Sequence, residues 1–235
     1  MSTLFTHLHV HSHYSLLKAL PKIPDLVKRA KKEGLKALAL TDIGNLYGAI
    51  EFYKECKDAG IKPIIGLDAK TERGRLLLYA ENNIGYQNLL ALVTKSHLEF
   101  PDNPTITAAM LCEHGGGLIA INPKSQKIAM REIFYLEDQD RRVWETLRAV
   151  GEKGPSDIGD IDAEDDFSFP TAKEASDFRE ENPEALAEIQ KIVGRCDLEI
   201  GIGKFIFPEF PLPKNQNADE KLRELCVLGI EKRGF

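Results

Sequence analysis

Apolar positions along the first seventy residues switch between two periods, and the switching predicts a repeating strand–helix unit. Leu4 to Val10 reads as a first strand, with Leu8 and Val10 interleaved among polar neighbours. Ile23, Leu26, Val27 and Ala30 then fall on one helical stripe; Pro24 suits its first turn and Gly34 its end. Ala37 to Leu40 is a short, continuously apolar strand. Leu46, Ala49, Ile50 and Tyr53 form a second stripe closed by Gly60, and Ile61 to Leu67 is a third buried strand. This β-α-β-α-β order predicts parallel strands joined by right-handed crossovers.

The remainder is less regular. Arg75 to Ala80 reads as a strand, followed by a helix through Leu89, Leu92 and Val93. Gly115-Gly116-Gly117 leads into the buried strand Leu118 to Ile121. Asn182-Pro183 opens a helix with Leu186, Ile189, Ile192 and Val193 on its apolar face. Phe205 to Pro213 is proline-rich and extended, and a last amphipathic helix runs from about Ala218 to Ile230. Between these elements, Ser156 to Asp166 carries a run of carboxylates. It lacks the turn glycine and terminal Glu of a calcium loop at their set offsets, so it reads as a solvated acidic loop.

With 235 residues, 43% hydrophobic, the chain can build one large α/β domain or two small ones, which excludes a disordered chain. Its net charge of −6 argues against tight, independent nucleic-acid binding. The local basic run Lys28-Arg29-Lys31-Lys32 reads as the solvated face of a helix. No stretch has the length and apolarity of a membrane span, and the N-terminus lacks a signal-peptide layout, so a cytoplasmic protein is expected. Cys56, Cys112, Cys196 and Cys226 form no CxxC pair, which favours buried reduced thiols over a zinc knuckle or disulfides.

The polar residues add chemistry to this frame. His7, His9, His11 and His13 recur at every second position. On a strand, all four imidazoles would share one face, which is how a strand presents metal ligands. A tag scar would carry no apolar alternation; a solvated edge strand is the other alternative. His9 and His11 fall at the end of the first strand, Thr41-Asp42 just after the second, and Asp68 just after the third. Those carboxyl ends are where α/β folds gather their sites. Asp42 also suits a helix cap, a job Asn45 could share. His97 lies in a helix and His114 in a glycine-flanked turn, so neither is well placed to complete a histidine cluster.

Several segments together resemble the polymerase and histidinol phosphatase (PHP) domain, in the form found at the N-terminus of bacterial DNA polymerase III alpha subunits. They are Phe5-Thr6-His7-Leu8-His9-Val10-His11-Ser12, Ala39-Leu40-Thr41-Asp42 with Gly44-Asn45, and Ala59-Gly60-Ile61-Lys62-Pro63-Ile64-Ile65-Gly66. Gly85-Tyr86-Gln87-Asn88-Leu89, Gly117-Leu118-Ile119-Ala120, Tyr135-Leu136-Glu137-Asp138-Gln139-Asp140 and Asn182-Pro183-Glu184-Ala185-Leu186 extend the match. The tail from Phe207 to Cys226 is similar to the passage from this domain into the polymerase palm. The early motifs are common to PHP phosphoesterases, whereas the tail is specific to the polymerase subunit.

The resemblance implies an α/β fold, a distorted (β/α)7-type barrel, over residues 1–203. Residues 204–235 would be an extended linker and helix leading toward a palm. Relatives carry several dozen residues where this chain runs directly from Asn122 to Lys127, so one strand–helix unit is expected to be missing. The parent would be a DNA-directed DNA polymerase, but no palm carboxylates are present, so DNA synthesis by this piece is not expected. His9 and His11 match the first pair of ligands of a site that holds up to three ions. Lys18 stands where active members have Asp, Ile43 where they have His, and Glu132-Ile133-Phe134 where they have Asp-x-His.

No catalytic residue is assigned on this basis. His9, His11, Asp68 and Asp42 remain as residual ligands for one Zn2+ or Mn2+. Lys18 either supplies a compensating cation to Asp68 or Asp42, or points to solvent. The resemblance implies a structural and docking role in replication, with the rest of the alpha subunit and a separate proofreading exonuclease subunit as partners. The alternative is a metal-dependent phosphoesterase or 3′–5′ exonuclease working with one or two ions. No membrane partner is expected.

Overall fold

The computed structural model describes residues 5–123, 131–151, 165–203, 208, 210–212 and 216–234. Helix α1 (Ile23–Lys32) has a proline in its first turn, where a missing N–H costs nothing, and buries Ile23, Leu26, Val27 and Ala30. Strand β1 (Ala37–Leu40) follows, then α2 (Ala49–Ala59), which stops at Gly60 in the left-handed region, φ 74°. Strand β2 (Lys62–Thr71) pairs in parallel with β1, from Ala37 opposite Lys62 to Leu40 opposite Ile65. This much matches the predicted strand–helix alternation.

Two departures concern the strands around the site. The expected first strand is an extended segment held by a parallel bridge from Val10 to Ile133 and by bonds from Ala39 N to the His7 carbonyl and Thr41 N to the Val10 carbonyl. The ladder toward β1 is broken because the amide of Val10 donates to the Thr41 hydroxyl at 3.0 Å instead of to a backbone carbonyl. The third strand, for its part, runs past Leu67. From Gly66 onward β2 pairs antiparallel with β3 (Gly74–Ala80), closing a tight hairpin at Gly74, φ 110°. Strand β4 (Leu118–Ile121) pairs antiparallel with β3, giving one four-stranded sheet in the order β1-β2-β3-β4. Among the described residues that sheet is not closed into a barrel.

Alternation along the strands fills two cores, one on each face. Leu38, Leu40, Ile65, Leu67 and Leu78 pack with the apolar stripes of α1, α2 and α3 (Asn83–Glu99). Ala37, Ala39, Ile64, Leu77 and Tyr79 pack with Leu8, Ile119 and the Ile189 and Ile192 side chains of α7 (Pro183–Arg195). The helices α4 (Ala108–His114), α5 (Arg141–Gly151) and α6 (Ala172–Glu181) were not anticipated from periodicity. Only Met110 is buried along α4 and only Trp144 along α5, so neither carries a broad apolar stripe. His114 ends α4 rather than lying in a turn.

The basic run on α1 is not wholly solvated. Arg29 is buried, with Nε 2.9 Å from the Glu33 carboxylate, a contact to Glu137, and its guanidinium 5.8 Å over the Phe169 ring. All four cysteines are free; Cys56 and Cys196 are buried as expected, whereas Cys112 and Cys226 are exposed. The acidic run lies outside the described residues except for Asp165 and Asp166, as does the Asn122 to Lys127 junction beyond Pro123.

The chain divides into two compact units, Met1–Ile200 and Gly201–Phe235. The second contains α8 (Ala218–Arg233), opened by a reciprocal cap between Asn217 and Glu220 and closed at Gly234. No helix among the described residues is long and apolar enough to cross a membrane.

Candidate metal centre

His9 and His11 are fixed by one residue on the far side of their segment. Ile133 donates its amide to the His9 carbonyl at 3.0 Å and accepts from the His11 amide at 3.0 Å. The Nδ1–H of His11 also donates to the Ile133 carbonyl at 3.2 Å, which turns Nε2 inward. Glu132, the preceding residue, enters the same space. Asp68 comes from β2 and Arg75 from β3. Asp68 pairs with Leu77 across the ladder, so Arg75 is its diagonal neighbour on one face.

These side chains converge. His9 Nε2 and His11 Nε2 lie 3.0 Å and 3.2 Å from Asp68 Oδ2, and 3.4 Å and 3.9 Å from Glu132 Oε1. One ligand atom from each of His9, His11, Asp68 and Glu132 lies within 4.8 Å of all the others. Arg75 reaches into the middle: its Nη2 bonds both Asp68 Oδ2 and Glu132 Oε1, its Nε donates to Asp68 Oδ1 at 3.1 Å, and its Nη1 to Glu132 Oε2 at 3.3 Å.

Burial alone would raise the Asp68 carboxyl. Hydrogen bonds from His11, His9 and Arg75 outweigh it and hold the group well below the usual carboxylate range. Glu132 is likewise held low against its burial by the charges around it. Burial lowers His9, which keeps its ring available as a neutral ligand.

The histidine run therefore does not share one face. The chain bends at His9 and turns after Ser12, so only the two central imidazoles reach the cluster. The His7 ring packs edge-on between Phe5 and Phe169, with centroids 4.9 Å and 4.8 Å away. Burial, then the charge of Arg131, pushes His7 down to about 3. The half-buried His13 sits beside Tyr14, with centroids 4.2 Å apart.

Asp68 lies inside a strand rather than after one, and its expected partners differ too. Asp42 is not one of the four converging residues. Its Oδ1 accepts from the Ser12 amide at 2.7 Å and the Ser15 hydroxyl at 2.6 Å, and its Oδ2 from the Ser12 hydroxyl at 2.8 Å. Nor does it cap α2, whose N-cap is Gly48 without a side-chain bond; Asn45 instead ties the Tyr14 and Ile43 carbonyls. The cation on Asp68 is Arg75, not Lys18. Lys18 is half-buried, and its carbonyl accepts from the Trp144 indole at 2.7 Å.

Sequence reasoning missed Arg75 and undervalued Glu132. A signal existed for each. Arg75 shares its face with Leu77 and Tyr79, so a charge occupies a core-facing register position. Glu132 stands at the Asp of an expected Asp-x-His pair, and the chemistry survives that exchange. The other half of the pair is Phe134, which stacks on His11.

Two imidazoles and two carboxylates are a donor set suited to zinc or manganese, and the Ile133 bond gives His11 the orientation that a ligand needs. Such an ion would supply a Lewis acid and an activated water. A cavity of about 210 Å³ adjoins the cluster, lined by Ile43, Asp68, Lys70, Thr71, Gly74 and Arg75.

Residues 7–157 match the PHP domain. The DNA polymerase III subunit alpha of Halalkalibacterium halodurans is 32% identical over 97% of this chain and 26% of its own length. Its counterpart in Bacillus subtilis is 29% identical over the same shares. That of Helicobacter pylori is 44% identical over 49% of this chain and 11% of its own. The chain thus spans about a quarter of the first two relatives. The H. halodurans match extends over 288 positions, more than the 235 residues here, so that relative carries residues this chain lacks.

Proposed function

The chain belongs to the PHP domain family, and on that premise we propose that it is the N-terminal PHP domain of a cytoplasmic, replicative DNA polymerase III alpha subunit. In this reading it acts as a structural and docking module and not as a phosphoesterase. The observation that carries it is the Arg75 guanidinium, seated on Asp68 and Glu132 where an ion would sit. A phosphoesterase of this kind needs bridging ions to generate hydroxide and neutralise the developing charge. Here the carboxylates already have a fixed cation from the chain itself. A buried Asp68 and a half-buried Glu132 without one would be costly, so the guanidinium is a brace that ties β2, β3 and the Glu132 segment together.

The sheet and the extended segment at Phe5 to His11 form part of a distorted seven-stranded barrel short of one unit near residues 122–127; the excess length of the H. halodurans match supports a shortened domain without placing the gap. Residues 1–203 are the PHP domain, and 204–235 lead toward the palm. The rest of the alpha subunit, and a proofreading exonuclease subunit docked on the domain, are the partners.

One observation favours a second reading, a phosphoesterase or exonuclease using a single Zn2+ or Mn2+. The Nδ1–H of His11 is committed to Ile133, as in a metal-ligating histidine. Metal analysis of the purified chain, coupled to hydrolysis of a nucleotide phosphodiester with and without manganese, separates the two. The structural reading expects substoichiometric metal and no chelator-sensitive turnover. A full equivalent of tightly held metal with chelator-sensitive turnover would replace it with the second.

A further inference from the structure

Arg75 and the two carboxylates form a balanced cluster only in part. Asp68 and Glu132 set two carboxylates against one guanidinium, so Arg75 matches the charge of that pair only by half. A divalent ion would neutralise it fully. Arg75 and an ion cannot both be seated, because they need the same atoms. The Nη2 of Arg75 contacts Asp68 Oδ2 and Glu132 Oε1 and lies 3.4 Å from His9 Nε2.

The side chains differ in how they are held. His9, His11 and Asp68 are 3%, 0% and 1% exposed, while Arg75 is 22% exposed. Arg75 directly follows Gly74 at the hairpin turn, and it also lines the cavity that opens beside Asp68. The side chain therefore has open volume next to its present seat, whereas the ligand atoms are anchored by Ile133 and by the β2–β3 ladder.

We propose that Arg75 is an exchangeable internal cation: a divalent ion and the guanidinium compete for Asp68 Oδ2, Glu132 Oε1 and His9 Nε2, and Arg75 withdraws into the adjacent cavity when the ion enters. This rests on the reading of Arg75 as a structural brace and adds that the brace is reversible. The four ligands then stay competent, and the affinity of the chain for metal is set by Arg75 rather than by a missing ligand.

The test titrates Zn2+, and Co2+ as a spectroscopic probe, into the full chain and into Arg75→Met and Arg75→Gln variants. The variants are expected to take up one equivalent about 10- to 100-fold more tightly than the parent chain. They should also show a metal-induced rise in melting temperature that the parent shows only at much higher metal. Adding His11→Ala to Arg75→Met should abolish the gain. A second measurement needs no variant: in the parent chain, the Arg75 Nε–H resonance should move and lose protection from exchange as Zn2+ saturates. Equal affinities in parent and variants, no binding in any of them, or a bound ion with Arg75 still protected would each overturn the exchange. Those outcomes leave the structural reading intact, since that reading falls on chelator-sensitive phosphodiester hydrolysis.

Discussion

The imidazole of His11 lies flat on the phenyl ring of Phe134, with centroids 4.5 Å apart and planes 7° from parallel. Phe134 in turn stacks on Trp144 at 5.4 Å, so a column of three rings runs from the cluster into a separate apolar core with Ala19 and Tyr135. Phe134→Ala should lower the unfolding free energy by about 3–5 kcal/mol through lost burial and the cavity left behind. Urea denaturation of the two chains measures it. A loss under about 1 kcal/mol would mean that the column does not hold the cluster.

Asp42 gathers three donors from Ser12 and Ser15, and Ser15 also accepts from the Ile43 amide at 3.0 Å. Asp42→Ala should therefore cost about 3 kcal/mol, because it orphans buried donors, whereas Ser15→Ala should cost about 1–2 kcal/mol. Both should leave the affinity of the chain for metal unchanged, since Asp42 faces the serine loop. Calorimetric metal titration of Ser15→Ala checks that independence.

Arg29 pairs with Glu33 and Glu137 while its guanidinium lies over the Phe169 ring. Arg29→Lys keeps the charge but loses the planar fork and the stacking, and should destabilise by about 1–3 kcal/mol. Lys28→Ala, on the exposed face of the same helix, should fall within about 0.5 kcal/mol of the parent. Similar losses at both positions would contradict the buried placement of Arg29.

Gly85, in the first turn of α3, faces the backbone of Gly117, and a Cβ there would stand 1.9 Å from the Gly117 carbonyl oxygen. That oxygen accepts from the Glu81 amide at 2.9 Å, so it is not free to retreat. Gly85→Ala should cost about 3 kcal/mol or more. Thermal melting would show it as a clear fall in midpoint.

Burial pushes the Cys56 thiol up to about 12 and that of Cys196 up to about 11. Thiolates, the reactive form, are therefore scarce at both near neutral pH. A thiol reagent at pH 8 should label Cys112 and Cys226 quickly in the native chain, and all four cysteines only after denaturation. Native labelling of Cys56 would show that α2 opens locally.

Where a period was strong, the sequence was a good guide. The stripe at Ile23, Leu26, Val27 and Ala30, the apolar run Ala37 to Leu40, and the Asn182-Pro183 start each became the element expected. Helices α4 and α5 were hidden because each buries a single side chain, too few to write a period. The site was half legible. His9, His11 and Asp68 were expected to meet and do so. Asp42 stays out of the converging group because an Asp after a strand has several uses, and here Ser12 and Ser15, within six residues of His9 and His11, claim it. Arg75 was overlooked because an arginine opening a strand ordinarily faces water; its long-range partner, Glu132, is 57 residues away and invisible to any local pattern.

The Ile133 carbonyl accepts from both the amide and the ring of His11, while its own amide holds His9. The tripeptide Glu132-Ile133-Phe134 therefore works as joinery: one residue supplies a charge, the next a pair of backbone ties, the third a flat ring. Replacing His11 would loosen this joint whether or not an ion is bound, because its ring is itself one of the ties. The signature run at the start of this chain is thus a record of carpentry as much as of chemistry.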